Sequence, residues 1–293
     1  MRFQISKHFK IFLSITAIFL ICGFASMLTR GFNLGVDFTG GSLIDVKFDK
    51  TVTVSDIRSV LEKHDLGNSI IQLETSEGAS ESKSVLIRTG IINDQQSAEV
   101  LKSLGEKLGN YEVKRIEKVG ATIGGELVRQ ALLAILLSWV MMIIYVTFRF
   151  EIRFAVAAVL ALVIDVSVTL SYFSFLQLEV DSSFIAALLT IVGFSVNSTI
   201  VIFDRIRENL KIHRRNESLL ELVDNSIWQC MTRSIYTSVT ALFSIVAILI
   251  YGGPTIKNFA FALFVGFISG IYTSVLLAAP MWQFFKERFK PAQ

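Results

Sequence analysis

The sequence predicts a polytopic α-helical membrane protein: six transmembrane helices, with an external ferredoxin-like α+β domain between the first and second. Three observations carry this. Six apolar stretches have about the 20 residues a helix needs to cross a bilayer, where backbone polar groups find partners only within the helix. Lysine and arginine collect in alternate connectors. One segment, 31–122, reads instead like water-soluble protein. The chain divides accordingly into 1–30 (N-terminus and first span), 31–122 (soluble domain) and 123–293 (five further spans).

Composition agrees. Of 293 residues 52% are hydrophobic and 18% charged, and mean hydropathy is +0.57, values that fit a membrane protein better than a soluble one. No basic patch with interleaved aromatics supports nucleic-acid binding. Cys22 and Cys230 sit in or beside apolar runs on opposite sides of the soluble segment, so no disulfide is expected. His8, His64 and His213 pair with nothing at metal-ligand spacing, so neither metal nor cofactor is expected.

The spans read as Phe12–Leu28, Leu127–Thr147, Phe154–Leu176, Phe184–Phe203, Ile235–Tyr251 and Phe259–Phe285. Arg2, Lys7 and Lys10 precede the first, Arg149 and Arg153 separate the second and third, and six basic residues from Arg205 to Arg233 separate the fourth and fifth. Lys286, Arg288 and Lys290 follow the sixth. Of the short connectors on the opposite side, Gln177–Ser183 carries no positive charge and Gly252–Asn258 only Lys257, so the positive-inside rule puts both termini in the cytoplasm and the soluble domain outside. The first span also fits a signal peptide, with a basic leader and the small residues Gly23, Ala25 and Ser26 behind its apolar core; the charge rule does not separate the two readings.

Within the soluble domain, Ser42–Phe48, Ile70–Thr75, Lys83–Thr89 and Tyr111–Val119 read as strands rich in β-branched and large apolar residues. Ser55 opens a helix with Ile57, Val60 and Leu61 on one stripe. Asn93 and Gln96 form a capping box for a second helix, with Leu101, Leu104 and Leu108 on one face and Gly109-Asn110 at its end. Ser76–Ser82 reads as a loop. The order β-α-β-β-α-β is the split ferredoxin-like unit. Neither helix carries a catalytic pair, so the domain reads as a binding or mechanical module rather than an enzyme.

Several motifs then point to a family. Gly35-Val36-Asp37-Phe38-Thr39-Gly40-Gly41 follows the first span, and Arg149-Phe150-Glu151 the second. The fourth span begins at Phe184, runs through Gly193-Phe194-Ser195-Val196-Asn197, and ends on Asp204-Arg205-Ile206-Arg207-Glu208-Asn209; Gly252-Gly253-Pro254 makes the last external turn. In this order and spacing the chain resembles the SecD/SecF family of the bacterial Sec protein-export machinery, within the resistance-nodulation-division superfamily, and in particular its SecF-type subunits.

The resemblance implies a non-enzymatic accessory subunit of the Sec translocon in the cytoplasmic (inner) membrane. Its partners would be SecD, the SecY-type channel complex and the translocating polypeptide, and it would use the proton or sodium gradient to promote translocation. A subunit of a small-molecule or lipid exporter of the same superfamily is the alternative.

Four polar residues are candidates for ion coupling. Asp165 lies mid-span, where a carboxylate costs about 2.5–3.5 kcal/mol on insertion scales and is either functional or a packing hydrogen bond. The family's usual His-Asp-Val here becomes Ile164-Asp165-Val166. Arg233, at the start of the fifth span, reads as an interfacial arginine or, by the resemblance, as part of the ion network. Asn197 is followed by Ser198 where the family places an aspartate. A hydroxyl does not titrate at physiological pH, so this departure leaves sodium, which oxygen ligands hold without titrating, beside the proton. Asp204, Arg205, Arg207, Glu208 and Asn209 read as a solvated helix end or a channel contact, and Asp204–Asp224 as an amphipathic segment on the membrane surface. Asp37, Gly40 and Gly41 read as a tight turn, and Gly266 with Gly270 as a small-residue packing face.

Overall fold

The computed structural model describes residues 4–73, 81–212 and 217–288. They form two compact units, Leu34–Gln130 and the remainder of the chain. The first long helix, α1 (Phe9–Arg30), belongs to the second of these.

In the inserted unit, β1 (Gly41–Thr53) leads into α2 (Val54–Leu61), then β2 (Ile70–Leu73), β3 (Glu81–Thr89), α3 (Asp94–Leu108) and β4 (Tyr111–Val119). The sheet order is β2-β3-β1-β4, antiparallel throughout, which is the ferredoxin-like arrangement. Ile44, Val46 and Phe48 alternate onto one sheet face. There they share a core with Ile57, Val60 and Leu61 of α2 and Val100, Leu101 and Leu104 of α3, so both helices cover the same face. A smaller cluster of Val36, Leu43 and Leu86 forms separately.

Two details differ from the sequence reading. β1 continues to Thr53, with a register shift between Lys47 and Val52, so α2 starts at once. Thr53 rather than Ser55 is its cap, accepting from the Asp56 amide while the Asp56 carboxylate accepts from the Thr53 backbone. β2 is described only to Leu73, and β3 already includes Glu81 and Ser82; the rest of the Ser76–Ser82 loop lies outside the described residues. The Asn93–Gln96 capping box and the stop at Gly109, whose φ is 95°, are as expected.

The Asp37-Gly40-Gly41 motif is a single helical turn, Val36–Thr39, unwound by two left-handed glycines with φ of 69° and 121°. Gly41 has a second reason to be glycine, since a Cβ there would lie 2.5 Å from the Thr89 carbonyl oxygen. Gly124 presses on the same turn: its Cβ would meet the Phe38 oxygen at 2.9 Å.

The membrane unit continues with α4 (Ala121–Arg149), α5 (Ile152–Leu176), α6 (Ser182–Lys211), α7 (Leu219–Tyr251) and α8 (Pro254–Thr273), which passes through a π-helical turn (Ser274–Ala278) into α9 (Ala279–Arg288). Among the described residues, six helices are long and apolar enough to cross a membrane. α5, α6 and the last helix make the interior, whereas α4 is almost wholly exposed. At one end Trp282 is fully buried, stacked on Phe154 with ring centroids 4.4 Å apart.

The fourth and fifth helices are longer than hydropathy suggests, and this corrects the surface reading of Asp204–Asp224. α6 runs on to Lys211, and α7 starts at Leu219 behind a Ser218–Glu221 capping box. Ile206, Leu222 and Val223 are buried in the protein core, so their apolar area faces protein rather than lipid. Asp224 is buried too, its Oδ1 accepting from the Ser6 amide and hydroxyl at 2.8 and 2.7 Å. His213–Asn216 lie outside the described residues.

Candidate functional site

Asp165 sits at the middle of α5 on its interior face, with Ala158, Ala161 and Leu162 on preceding turns and Thr169 on the next, all buried. Small alanines let the neighbouring helices approach, and the carboxylate is wholly removed from solvent. Three hydroxyls from two other helices close on it. Ser195 of α6 donates to Oδ2 at 2.5 Å, and Ser269 of α8 donates to Oδ1 at 2.6 Å. Thr273, one turn on, reaches Oδ1 at 2.9 Å and Oδ2 at 3.0 Å. Thr169 donates to the Asp165 backbone oxygen at 2.9 Å.

The close approach of α6 and α8 is made by the two glycines. A Cβ on Gly266 would fall 2.3 Å from Ile191 Cδ1, and one on Gly270 would lie 3.3 Å from Ser195 Cβ. Below them Thr199 and Ser274 share a hydrogen bond of 2.9 Å, and the Ser274 hydroxyl also reaches the Ser195 carbonyl at 3.4 Å. Ser274 opens the π turn. Such turns widen a helix by one residue and recur at functional sites.

Chemically this is a carboxylate whose acceptor sites are filled by hydroxyl donors, an arrangement suited to the ionised form. Hydroxyls both donate and accept, so each can reverse if the carboxyl becomes a donor. Thr273 has a second acceptor ready, the Gly270 carbonyl at 3.3 Å.

Of the sequence candidates, Asp165 alone is at this centre. Ser198 is half-buried and donates to its own helix, to the Phe194 oxygen at 3.3 Å; Asn197 and Arg233 are exposed. Arg233 lies well inside α7 rather than at its start. Asn197 and Arg233 nevertheless stand at one depth. Cys230 Sγ lies 3.7 Å from the Val201 oxygen, and the two residues are each about one turn further along antiparallel helices, in the same direction. Ser269 and Thr273 went unread. Their signal is the stripe Gly266, Ser269, Gly270, Thr273 at helical spacing, which puts two hydroxyls on the packing face.

The Asp204–Asn209 motif ties helix ends together. Arg149 pairs with Asp204 at 3.3 Å, Arg205 with Glu208 at 2.8 Å and with Gln229 at 2.6 Å, and Arg207 donates to the Arg149 carbonyl at 3.3 Å. Asn209 donates to Ser226 at 2.8 Å. The end of α6 is thereby held to α4 and α7.

Comparison with known proteins agrees with these features. A family model described as protein export membrane protein SecD/SecF, C-terminal, matches residues 98–288, and one for the SecD/SecF GG motif matches 25–52. Curated relatives called protein translocase subunit SecF include one from Acidaminococcus fermentans, 61% identical over 99% of both chains. Another, from Sebaldella termitidis, is 38% identical over 99% of this chain and 94% of its own. Among solved structures, SecDF from Thermus thermophilus, a translocon-associated membrane protein, superposes with a TM-score of 0.89 at 33% identity. A super-membrane-facing form of SecDF superposes with a TM-score of 0.71. Each alignment covers 98% of this chain but 39% of the SecDF chain. A SecD/SecF fingerprint at the GG turn, a match across the membrane helices and near-complete coverage of SecF relatives converge: the chain belongs to the SecD/SecF family of protein export membrane proteins.

Proposed function

We propose that this chain is an accessory subunit of the Sec translocon that works beside SecD and couples the ion-motive force to protein translocation through Asp165. The observation that carries this is a fully buried mid-span carboxylate held by hydroxyls from two other spans. A packing role alone would not need an ionisable group at that depth. In the coupling cycle an arriving proton neutralises the carboxyl, whose O–H then donates to one of the three hydroxyls. The clamp between α5, α6 and α8 slackens as Thr273 turns to the Gly270 carbonyl. The π turn just beyond gives the last helix room to adjust.

The exposed pair Asn197 and Arg233 supports the SecD partnership. Lipid satisfies neither an amide nor a guanidinium, so this level of α6 and α7 suits a neighbouring protein with a carboxylate. Both termini lie in the cytoplasm, the inserted unit outside, and the emerging polypeptide and SecY-type channel complete the assembly. Loop charges support that orientation. Asn197 and Ser198 belong to the partner-facing half of the ion path rather than to the Asp165 cage.

The test is export driven by a proton gradient in vesicles containing the full complex, comparing wild type with Asp165→Asn, Ser198→Ala and Arg233→Ala. Loss with Asp165→Asn and retention with Ser198→Ala is expected. Normal export by Asp165→Asn together with failure of Ser198→Ala sinks the assignment and points to a hydroxyl-based sodium site.

A further inference from the structure

Beside the Asp165 cage, but facing outward, α1, α5 and α8 enclose a groove of about 390 Å³. Its walls are apolar, including Phe19, Val168, Phe261 and Ile268, and its polar side chains are few: Thr16, Tyr172, Ser269 and Tyr272. The Tyr272 hydroxyl is already engaged with Thr16 and the Phe12 carbonyl, both at 3.0 Å, and Ser269 donates to Asp165. Along α8 the groove therefore offers an occupant mainly apolar contact, with the hydroxyls of Ser269 and Tyr272 already engaged. Its volume is that of a ligand site, in the range of roughly 300–1,000 Å³.

Its direction identifies the occupant. Along α8 the lining runs from Phe261 to Tyr272, about 16 Å at 1.5 Å per residue. That is close to one leaflet of a ~30 Å hydrocarbon core. The inner end is at Tyr272, about one turn beyond Ser269 and mid-span Asp165; the other end, at Phe261, lies toward the membrane face where α1 ends and α8 begins.

At that face stand two exposed cations, Arg30, the last residue of α1, and Lys257, in the first turn of α8. Both helix ends are fastened to the α5–α6 connection. Gln177 donates to the Gly31 carbonyl at 3.4 Å and Asn33 to the Gln177 carbonyl at 3.0 Å, while Asn258 donates to the Glu179 carbonyl at 3.4 Å. Positive charge thus stands on the membrane face beyond the outer end of an apolar trough about one leaflet long.

We infer that this groove seats one acyl chain of an anionic phospholipid, its phosphate between Arg30 and Lys257 and its chain end against Ser269. The chain fills the space that would otherwise lead from the bilayer to the Asp165 cage, so a bound lipid is part of the wall around the buried carboxylate. A cation near a membrane surface attracts anionic lipid, and apolar contact along the trough holds the tail.

The full chain is reconstituted in vesicles of phosphatidylglycerol and phosphatidylethanolamine, each in turn carrying a photoreactive diazirine near the end of one acyl chain. Adducts are then mapped by peptide mass spectrometry. Expected is labelling at Val168 and Ile268 well above that at the openly exposed Leu133 and Leu137 of α4, with a phosphatidylglycerol preference of roughly tenfold, the scale of one to two surface cations. Arg30→Gln with Lys257→Gln should abolish the headgroup preference. Ile268→Trp, which fills the trough from its exposed side, should remove the groove adducts and leave those on α4 unchanged. Equal labelling of groove and α4 means an ordinary lipid annulus and overturns the inference. So does equal labelling by the two headgroups in wild type, or labelling indifferent to both variants.

Discussion

Thr273 donates to both oxygens of Asp165, at 2.9 and 3.0 Å, and the residue after it opens the one π-helical turn among the described residues. The group that holds the carboxylate and the irregularity of the helix are therefore adjacent in the chain. On the proposed coupling, a change of charge on Asp165 would be felt next to the point where the last span departs from regular α-helical hydrogen bonding.

Replacing Thr273 by valine keeps its shape and removes one donor. A hydrogen bond to a charged group contributes about 1.5–3 kcal/mol, and the partner left behind stays buried. Thr273→Val should lower the thermal midpoint of the purified protein and weaken gradient-driven export, and Thr273→Ser should restore both. A valine variant as stable and active as wild type would show that Ser195 and Ser269 suffice.

Two glycines four residues apart should behave differently. At Gly266 an added methyl meets Ile191 at 2.3 Å, so the buried Ile191 side chain must move or α6 and α8 must part; overpacking of this kind costs typically 1–3 kcal/mol. At Gly270 the methyl meets the Cβ of Ser195 at 3.3 Å, a contact relieved by a few tenths of an ångström. Gly266→Ala should mainly destabilise, whereas Gly270→Ala should mainly impair export by displacing a donor to Asp165. Thermal melts beside export rates distinguish them. Equal losses of stability would remove the distinction.

The inserted unit supplies a pH test. Hydrogen bonds from the Thr53 side chain and backbone hold the Asp56 carboxyl below its ordinary 3.8. A lowered folded-state value means the stabilisation is present above the unfolded value and lost as pH falls through the folded one. Thr53→Ala should therefore speed amide exchange in α2 of the full chain at neutral pH, with the difference from wild type fading below pH 3.8. A difference independent of pH would assign the effect to the hydroxyl alone.

Much of this architecture was legible because membrane spans and a ferredoxin-like unit obey strong local rules. Asn93 with Gln96 and Gly109 bound α3 in sequence as they do in space. Length was harder to read. Hydropathy marks where lipid begins, not where a helix does, so Leu219–Ser234, buried partly against protein, looked like a connector. The Asp165 cage was half legible. A charged residue in an apolar run announces itself, but Ser195, Ser269 and Thr273 are unremarkable in any membrane helix, and only the packing of α5, α6 and α8 shows which hydroxyls meet the carboxylate.

The proposed orientation rests on the loop charges and can be tested directly. Lys83 is exposed on β3 and Lys211 is exposed at the end of α6. With Cys22 and Cys230 replaced by serine, Lys83→Cys should react with an impermeant thiol reagent added to intact cells and Lys211→Cys should not. The reverse pattern would invert the protein.

Arg233 gives the sharpest separation between the chain alone and the chain in its complex. It is exposed on α7, level with Asn197 on α6, and in the described structure neither reaches Asp165. A guanidinium at this depth costs about 2.5–3.5 kcal/mol on insertion scales unless something pairs with it. If a carboxylate of a neighbouring subunit does so, Arg233→Ala should leave the melting of the isolated chain unchanged or raise it, because in the isolated chain it removes a charge that lacks its carboxylate partner. In the complex the same substitution should strand the partner's acid, weaken co-purification with SecD and reduce proton-driven export. Arg233→Lys should recover the charge but not the two-pronged geometry, and so restore binding better than export. Equal loss of stability in the isolated chain and the complex would mean that Arg233 serves this chain's own fold, and the partner-facing reading of α6 and α7 would fall with it.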